Sequence, residues 1–403
     1  MRRAETLKAK WQTSSLGDVC QVIGGGTPSK ESEDYYTGNI PWATVRDMSS
    51  EVISETECSI TEEAVRASAT NIIPAGNVVI ATRVGLGKVC LLGQSTAINQ
   101  DLRGIVPTDP RLLTVRFLFF WLKSVAHLIV AEGTGATVQG VKLPFVKSLQ
   151  VPLPPLPEQR RIVGILDEAF QGIATAKANA EKSLQNARAL FESHLQSVFT
   201  KRGPGWVDRR LGDVFEIGSS KRIMETEWTS AGVPFYGGKE IVKLAKFGSA
   251  ISNAYISEEK YRDYSSKYDM PRPGDILITA RGTIGVGYVV QEGDRFYYKD
   301  GNIISMRGRE ATNPHFVLYA FRSNVMADQF GALSGTTVRH LPIEKAKELV
   351  LRMPEFADQN TAVAGIRDVE AETQRLASIY QQKLAALDEL KKSLLHQAFS
   401  GEL

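Results

Sequence analysis

The chain repeats itself once, with a period of about 200 residues. The stretch 76-GNVVIATRVGLG-87 aligns without a gap on 274-GDILITARGTIG-285, and five further stretches match in the same order at offsets between 193 and 200. Those pairs are 16-LGDV-19 with 211-LGDV-214 (each preceded by a Trp, Trp11 and Trp206), 40-IPW-42 with 233-VPF-235, 117-FLFFWLKS-124 with 316-FVLYAFRS-323, 135-GATV-138 with 335-GTTV-338, and 151-VPLPPLPEQ-159 with 351-LRMPEFADQ-359. A shared order over this length indicates one folding unit used twice, with diverged interiors.

The first part of each copy, residues 1–157 and 201–357, contains short apolar runs bounded by Gly, Pro, Asn and Asp. Such runs predict buried strands, as in 78-VVI-80 and 276-ILI-278. The segments 112–130 and 314–330 predict helices. The expected fold class is therefore α+β, with two tandem mixed α/β domains that hold more strand than helix.

The second part of each copy, residues 158–200 and 358–403, predicts one long helix. Each follows an extended stretch that contains proline and opens with an acid–Gln pair, where a carboxylate favours the helix N-terminus. Apolar or small residues recur at a spacing of three and four, which is typical of a coiled-coil seam. In the first copy they are Ile162, Leu166, Ala169, Ile173, Ala176, Ala180, Ala187, Phe191 and Val198. In the second copy they are Ile366, Val369, Thr373, Leu376, Tyr380, Leu387, Leu390, Leu394 and Ala398.

The order of these parts suggests how the two long helices pair. If they pair antiparallel, the second helix returns to the first domain, and the helices form a pseudo-twofold spacer of roughly 60 Å between two globular domains. The alternative is that each helix only packs on its own domain, as an ordinary amphipathic helix does. An unbroken seam of this length favours the paired spacer.

Composition excludes several classes of protein without choosing a function. Lys and Arg number 48 against 45 Asp and Glu, a formal charge of +3 that neither requires nor excludes nucleic-acid binding. The three cysteines form no CxxC pair, which argues against a disulfide framework and a zinc knuckle and favours a reducing compartment. Because the N-terminus lacks an apolar run and no stretch is long enough to span a bilayer, we expect a cytoplasmic protein.

Catalytic motifs are missing as well. The sequence contains no GxxxxGK[ST] phosphate loop, no HExxH and no GxSxG motif, and it lacks the Asn-Pro-Pro-aromatic tetrapeptide of amino-methyltransferases. The five histidines are scattered along the chain. We therefore expect no catalytic residue, no metal site and no cofactor, and a duplicated chain of this kind points to recognition.

Several stretches resemble the specificity subunits of type I restriction–modification systems. The most specific is 152-PLPPLPEQRRIVGILDEAF-170, which is similar to the opening of that family's central helical region. Similar too are 16-LGDV-19, 24-GGGTPSK-30, 40-IPWATVRDM-48, 98-INQDLRGI-105 and 391-KKSLLHQAFSGEL-403. The second copy departs from the pattern at 351-LRMPEFADQ-359, which lacks the PLPPL run, and we interpret this as divergence.

The resemblance implies a non-catalytic DNA specificity subunit. Each globular domain would be a target-recognition domain that reads one half of a bipartite site in double-stranded DNA. The helices would form the antiparallel spacer and dock two adenine-N6 methyltransferase (M) subunits, with motor-nuclease (R) subunits as a further optional partner. A protein with two different readers should bind two different half-sites at a fixed separation.

Candidate DNA-binding residues are side chains that can reach bases or phosphates from Gly-containing loops. In the first domain they are Thr27, Lys30, Arg46, Arg83, Lys88 and Gln100. In the second domain they are Lys221, Arg222, Lys239, Arg281 and Lys299. Arg83 and Arg281 are the best matched pair, because each follows the same apolar strand and opens a Gly-containing loop. The run Gly24-Gly25-Gly26 fits either a phosphate cradle or a tight turn.

Two other functions remain open at this point. A coiled-coil scaffold or adaptor with two protein-binding domains would leave the methylation pattern of the host unchanged. A self-sufficient fused restriction–methylation enzyme would carry its methyltransferase on the same chain, and the missing motifs argue against it.

Overall fold

The computed structural model describes residues 11–134, 140–200, 204–268, 270–332 and 340–403. The matched stretches 135–138 and 335–338 lie outside these residues. The chain forms two compact units: unit 1 comprises Met1–Ala180 and Gln382–Leu403, and unit 2 comprises Glu181–Gln381. Each unit therefore holds one globular domain together with a segment of each long helix.

Unit 1 is a mixed α/β domain. Its strands are β1 (Gln12–Ser15), β2 (Cys20–Gly24), β3 (Ile40–Ala43), β4 (Val52–Ile53), β5 (Cys58–Ile60), β6 (Asn71–Ile73), β7 (Val78–Ala81), β8 (Val89–Leu92), β9 (Thr96–Ile98), β10 (Leu102–Pro107) and β11 (Gln150–Leu153). Its helices are α1 (Leu16–Val19), α2 (Glu62–Arg66), α3 (Val115–Ser124), α4 (Ala126–Glu132), α5 (Leu143–Ser148) and the first part of α6 (Leu156–Thr200). The strands form sheets in the orders β2-β10-β7-β8-β4, β5-β3-β9-β6 and β1-β11.

Unit 2 repeats this plan with a different interior. Its strands are β12 (Val207–Arg210), β13 (Phe215–Gly218), β14 (Val233–Tyr236), β15 (Tyr255–Ile256), β16 (Ile276–Thr279), β17 (Gly287–Val289), β18 (Tyr297–Tyr298), β19 (Ile303–Gly308) and β20 (Val350–Met353). Its helices are α7 (Leu211–Val214), α8 (Gly238–Phe247), α9 (Glu258–Lys267), α10 (Pro314–Arg322), α11 (Asn324–Ala332), α12 (Ile343–Glu348) and part of α13 (Phe356–Ser400). The sheets run β13-β19-β16-β17, β15-β14-β18 and β12-β20.

Helix α3 fills the centre of unit 1. We call β2-β10-β7-β8-β4 the main sheet of unit 1 and β13-β19-β16-β17 the main sheet of unit 2. The six consecutive α3 residues from Phe117 to Leu122 are buried, because the main sheet covers one side and the long helices cover the other. The ring of Phe117 lies 5.2 Å from that of Phe399 in α13, and Phe120 lies 5.5 Å from Phe170 in α6. In unit 2 the corresponding contact joins Phe316 of α10 to Phe199 of α6, at 5.1 Å. The segments 112–130 and 314–330, which are predicted to be helical, each contain two helices, interrupted at Val125 and Ser323.

The long helices begin two residues before the predicted starts, at Leu156 and Phe356. Within unit 1 their segments run antiparallel. Arg161 of α6 donates to the carbonyl of Leu403 at 2.8 Å, and farther along Lys177 pairs with Asp388 of α13 at 2.7 Å. The end of α13 thus belongs to the first unit, as the sequence predicted.

The seam differs in part from the predicted one. Leu390 is 46% exposed, and Leu395, which the predicted seam omits, is buried. Phe170, Leu195 and Phe199 are buried although the predicted seam omits them. These aromatic and leucine side chains pack on α3 or α10, so the spacing of a coiled-coil seam is modified where a helix meets a globular domain.

A buried glutamine fastens each long helix to its domain. The side-chain oxygen of Gln159 accepts from the Thr114 N–H at 2.9 Å, and its amide donates to Leu112 and Pro154 carbonyls. Gln359 repeats the arrangement with the Asn313 N–H at 3.0 Å and the carbonyl of Pro354. The acid–Gln pair therefore marks a helix start that is hydrogen-bonded to the loop before α3 or α10.

The mixed α/β class, the two tandem domains and the two long helices of the sequence prediction are confirmed. Across the described segments, no helix combines the length and the hydrophobicity needed to cross a bilayer.

Candidate nucleic-acid interface

In unit 1, four segments of the chain meet at one edge of the main sheet. Strands β2 and β7 end where the antiparallel strand β10 begins, because Arg103 of β10 is opposite both Gly24 and Ile80. Strand β3 ends beside them, since the N–H of Asn99 donates to the carbonyl of Ala43 at 3.0 Å. We call residues 24–30, 44–46, 82–88 and 99–103 recognition edge 1.

Polar side chains form a connected cluster on this edge. The Thr27 hydroxyl donates to the side-chain oxygen of Gln100, and Arg103 donates to the Gln100 carbonyl at 2.9 Å. The Arg83 guanidinium lies 3.5 Å from a carboxylate oxygen of Asp101, yet its side chain remains 47% exposed. Burial lowers the pKa of Arg103, and the charge of Arg83 lowers it further. The edge therefore concentrates positive charge that Asp101 offsets only in part.

The other predicted residues of unit 1 flank this cluster. Lys88 donates to the carbonyl of Val45 at 3.4 Å, and the neighbouring Arg46 is exposed, 3.7 Å from Glu57. Lys30 is exposed, and its side chain makes no hydrogen bond or ion pair within the described ranges. Thr27, Arg83 and Gln100 are thus brought together, Lys88 and Arg46 lie beside each other, and Lys30 stands apart.

The glycine run of this edge serves the backbone. A Cβ atom on Gly25 would lie 2.1 Å from the carbonyl oxygen of Asn99, and one on Gly26 would lie 2.5 Å from the carbonyl carbon of Ala69. The Gly26 N–H donates to Ile98 at 3.0 Å, and its carbonyl accepts from Trp42. Gly25 and Gly26 are therefore explained by the close approach of neighbouring backbone segments. The Gly26 N–H is not free to bind a phosphate, because it already donates to the Ile98 carbonyl.

Unit 2 builds the same edge from β13, β16 and β19. Gly218 ends β13 opposite Ser305, and Thr279 ends β16 opposite Ile303, the first residue of β19. We call residues 218–222, 280–285 and 299–302 recognition edge 2. Both edges share a backbone contact: the N–H of Val141 donates to Thr82 at 2.9 Å, and the N–H of Leu341 donates to Ala280 at 2.8 Å. Arg83 and Arg281 each follow the accepting residue, and both are exposed.

The side chains of edge 2 differ from those of edge 1. Arg222 pairs with Asp300 at 2.7 Å and is 70% exposed. The Lys299 ammonium lies 3.6 Å from a Glu225 carboxylate oxygen and 5.4 Å from the Trp228 ring centroid.

Lys221 and Lys239 complete the predicted set. The Lys221 ammonium lies 5.8 Å from the ring centroid of Tyr268, and its carbonyl accepts from the Tyr297 hydroxyl at 2.8 Å. Lys239 is exposed in the first turn of α8. The five predicted residues of unit 2 therefore lie on edge 2 or directly beside it.

Comparison with known proteins decides the family. A model described as the type I restriction modification DNA specificity domain matches residues 8–185 and again residues 204–382. The chain belongs to this family. It is 25% identical over 373 residues to the type I restriction enzyme MjaIX specificity subunit of Methanocaldococcus jannaschii, covering 85% of this chain and 83% of the relative. It is 34% identical over 166 residues to the EcoR124I/EcoR124II specificity subunit of Escherichia coli, covering 40% of this chain and 41% of that one.

Solved structures share the fold. A chain from a type I restriction–modification system aligns over 99% of this chain and 100% of its own length, with a TM-score of 0.78 and 19% identity. The HsdS subunit from Thermoanaerobacter tengcongensis aligns over 98% of both chains, with a TM-score of 0.65 and 20% identity. By its family match the chain is a type I specificity subunit, a component that binds DNA and associates with other subunits. These findings favour that function over the coiled-coil adaptor.

Arg103 is a candidate residue that the sequence prediction missed. It lies inside β10, surrounded by apolar residues, and its guanidinium is held to the Gln100 and Leu102 carbonyls. The stretch 98–105 resembled the family, so the signal was present. The predicted candidates lie in Gly-containing loops, where binding residues are common, whereas Arg103 belongs to a strand.

Proposed function

We propose that unit 1 and unit 2 each read one half of a bipartite site in double-stranded DNA. One observation carries this proposal: the two recognition edges have the same backbone frame and different polar side chains. Edge 1 presents Thr27, Gln100 and Arg83, whereas edge 2 presents Arg222, Lys299 and Arg281. Different hydrogen-bond donors on an equivalent backbone are what recognition of two different half-site sequences requires.

Arginine and glutamine supply the base-reading chemistry at these edges. A guanidinium can donate two parallel hydrogen bonds to guanine, and an amide can pair in the same way with adenine. Arg83 and Arg281 stand at equivalent positions, so we assign each the same role in its own half-site. The lysines and Arg46 are assigned to phosphates, for which a point charge suffices.

The family match supports a choice of partners. We propose that the long helices set the separation of the half-sites and dock two adenine-N6 methyltransferase subunits, with motor-nuclease subunits joining as an option. The chain then contributes no catalytic group and acts in the cytoplasm, where the host DNA lies.

Methylome sequencing of a host with and without this gene tests the function. In the presence of the methyltransferase subunit, a bipartite N6-methyladenine motif should occur only when the gene is intact. An unchanged methylome under those conditions would overturn the proposal. Purified chain should show no methylation activity until the methyltransferase subunit is added, and activity of the chain alone would favour a self-sufficient enzyme instead.

A further inference from the structure

The two units differ in the segment that follows β3 or β14. In unit 1, residues 44–57 include β4, which extends the main sheet by pairing with β8. In unit 2, residues 237–254 include helix α8, which buries Ile241 and Leu244 against Leu277 and Tyr288 of the main sheet. The first segment carries one arginine and four carboxylates, a charge of −3, and the second carries three lysines and one glutamate, a charge of +2. Equivalent places in the fold thus have opposite charge.

The three lysines of α8 form one stripe. Lys239, Lys243 and Lys246 are spaced by four and three residues, which places them on one face of a helix, and all three are exposed. Their side chains take part in no ion pair within the described segments of the chain. The only carboxylate of the helix, Glu240, accepts from the Gly237 N–H at 3.0 Å and so caps the helix. The stripe therefore presents three charges to solvent without compensation from its own helix.

The stripe begins at recognition edge 2. A Cβ atom on Gly238 would lie 3.7 Å from the Thr279 methyl group at the end of β16, and the Lys299 N–H donates to the carbonyl of Tyr236 at 2.8 Å. From there the lysines extend over about 10 Å of helix. One DNA strand places a phosphate about every 3.4 Å along the duplex axis, so the stripe can follow about three phosphates.

We propose that Lys239, Lys243 and Lys246 bind the phosphate backbone of duplex DNA next to the half-site read by unit 2. The inference rests on the proposed function and adds an asymmetry to it. Unit 2 holds DNA with a larger electrostatic contribution than unit 1, whose equivalent segment is acidic. Lysine suits this role because its ammonium is a point charge that attracts phosphate without selecting a base.

Binding measurements on the full-length chain in complex with its methyltransferase subunits test the stripe. The probe is a fluorescent duplex carrying the methylated motif, titrated over a range of salt concentrations. The variant is Lys243→Ala with Lys246→Ala, which leaves Lys239 on the edge. The matched control is Lys345→Ala with Lys347→Ala, which removes the same charge from unit 2 at lysines already paired with Glu348 and Glu344.

The stripe variant should bind about tenfold more weakly at moderate salt, and the slope of log affinity against log salt should fall by about two. Its preference among bases should be unchanged, and the control variant should match the unaltered complex. Replacement of both lysines by arginine should restore binding.

Three results would overturn the inference. The first is equal affinity and equal slope for the stripe variant and the control. The second is a loss of complex assembly with unchanged DNA slope, which would assign the stripe, with the exposed Phe247 and Ile251 beside it, to a protein partner. The third is an unaltered complex that shows no site-specific binding, which would also refute the proposed function, whereas the first two leave that function intact.

Discussion

At the scale of single residues, each recognition edge pairs a constant backbone with variable side chains. Arg83 is anchored by Asp101 but keeps nearly half of its side chain in solvent. An arginine held in this way is oriented before DNA arrives, so less side-chain entropy is lost on binding. Arg281 occupies the equivalent position and is exposed. The repeat alone could predict this pair, because the aligned stretches 76–87 and 274–285 place both arginines after the same strand.

Substitution of Arg83 by alanine should weaken recognition of one half-site by about 1–3 kcal/mol. The lost hydrogen bonds reach base edges in that half only, so base preference there should relax. Affinities for duplexes with single substitutions in each half measure this. Arg281→Ala is the matched comparison and should affect the other half. If Arg83→Ala weakened both halves equally, Arg83 would contact phosphate or support the fold instead.

At the scale of elements, the hydrogen bonds of the Gln159 side chain could not be predicted from the sequence. The acid–Gln pair predicts a helix start, because the helix dipole favours a carboxylate there. In the structure the buried amide makes the long-range hydrogen bonds, whereas Glu158 pairs locally with Arg161. Partners such as Thr114 lie 45 residues away in sequence. A pattern of neighbouring residues contains no information on such contacts.

Gln159→Leu should destabilise unit 1 by about 2–4 kcal/mol, because leucine leaves the Thr114 N–H and two carbonyls buried without partners. Denaturant unfolding followed by tryptophan fluorescence measures the loss. Gln171→Leu is the control, since Gln171 is exposed on the same helix and should change stability little. Equal effects of the two substitutions would show that the buried hydrogen bonds contribute nothing specific.

A second element-scale contact depends on pH. Glu51 lies 2.5 Å from Lys123 of α3 and 3.6 Å from Lys391 of α13. Burial alone would raise the pKa of Glu51, but the hydrogen bond from Lys123 and the charges of Lys123, Lys391 and Arg116 outweigh it and lower the pKa. The carboxylate therefore stabilises the folded state above its ordinary pKa of 4.5, and this stabilisation disappears as the pH falls.

Glu51→Gln should lower the melting temperature by about 2 °C at neutral pH, a small effect because the side chain is 39% exposed. The difference from the unaltered chain should shrink as the pH falls below 4.5. Thermal unfolding from neutral to acidic pH measures it. A difference that stays constant over this range would mean that the charge of Glu51 is irrelevant and that only its packing matters.

At the scale of the whole molecule, the duplication predicts the order of domains and long helices, but not the structure of the diverged segments inside each domain. The repeat yields two tandem domains and two long helices, because buried strands and helix seams leave periodic patterns in sequence. It could not predict that one segment becomes strand β4 in unit 1 and helix α8 in unit 2. Strand β4 pairs with β8 and extends the sheet, whereas α8 packs against β16 and β17. Which structure forms depends on tertiary packing and not on the local sequence pattern. The polar side chains of recognition edges 1 and 2 are positioned by these diverged segments, so their arrangement could not be predicted from the sequence either.

The duplication also predicts what a chain made from one half should read. In unit 1, Leu395 and Phe399 of α13 pack on the core around α3, and in unit 2 Leu195 and Phe199 of α6 pack on the core around α10. Leu195 and Phe199 are identical to their counterparts Leu395 and Phe399, so the end of α6 can make the same two contacts in place of the end of α13. A chain that joins two copies of residues 1–200 should therefore fold and read the first half-site twice.

The methylome of a host that carries this chain with the methyltransferase subunit should show a symmetric bipartite motif. Both halves should match the half-site that Arg83→Ala relaxes. The reciprocal chain, two copies of the second half, is the matched control and should yield the other half-site twice. A soluble, folded chain that produced the original asymmetric motif would show that the two units do not read the half-sites independently.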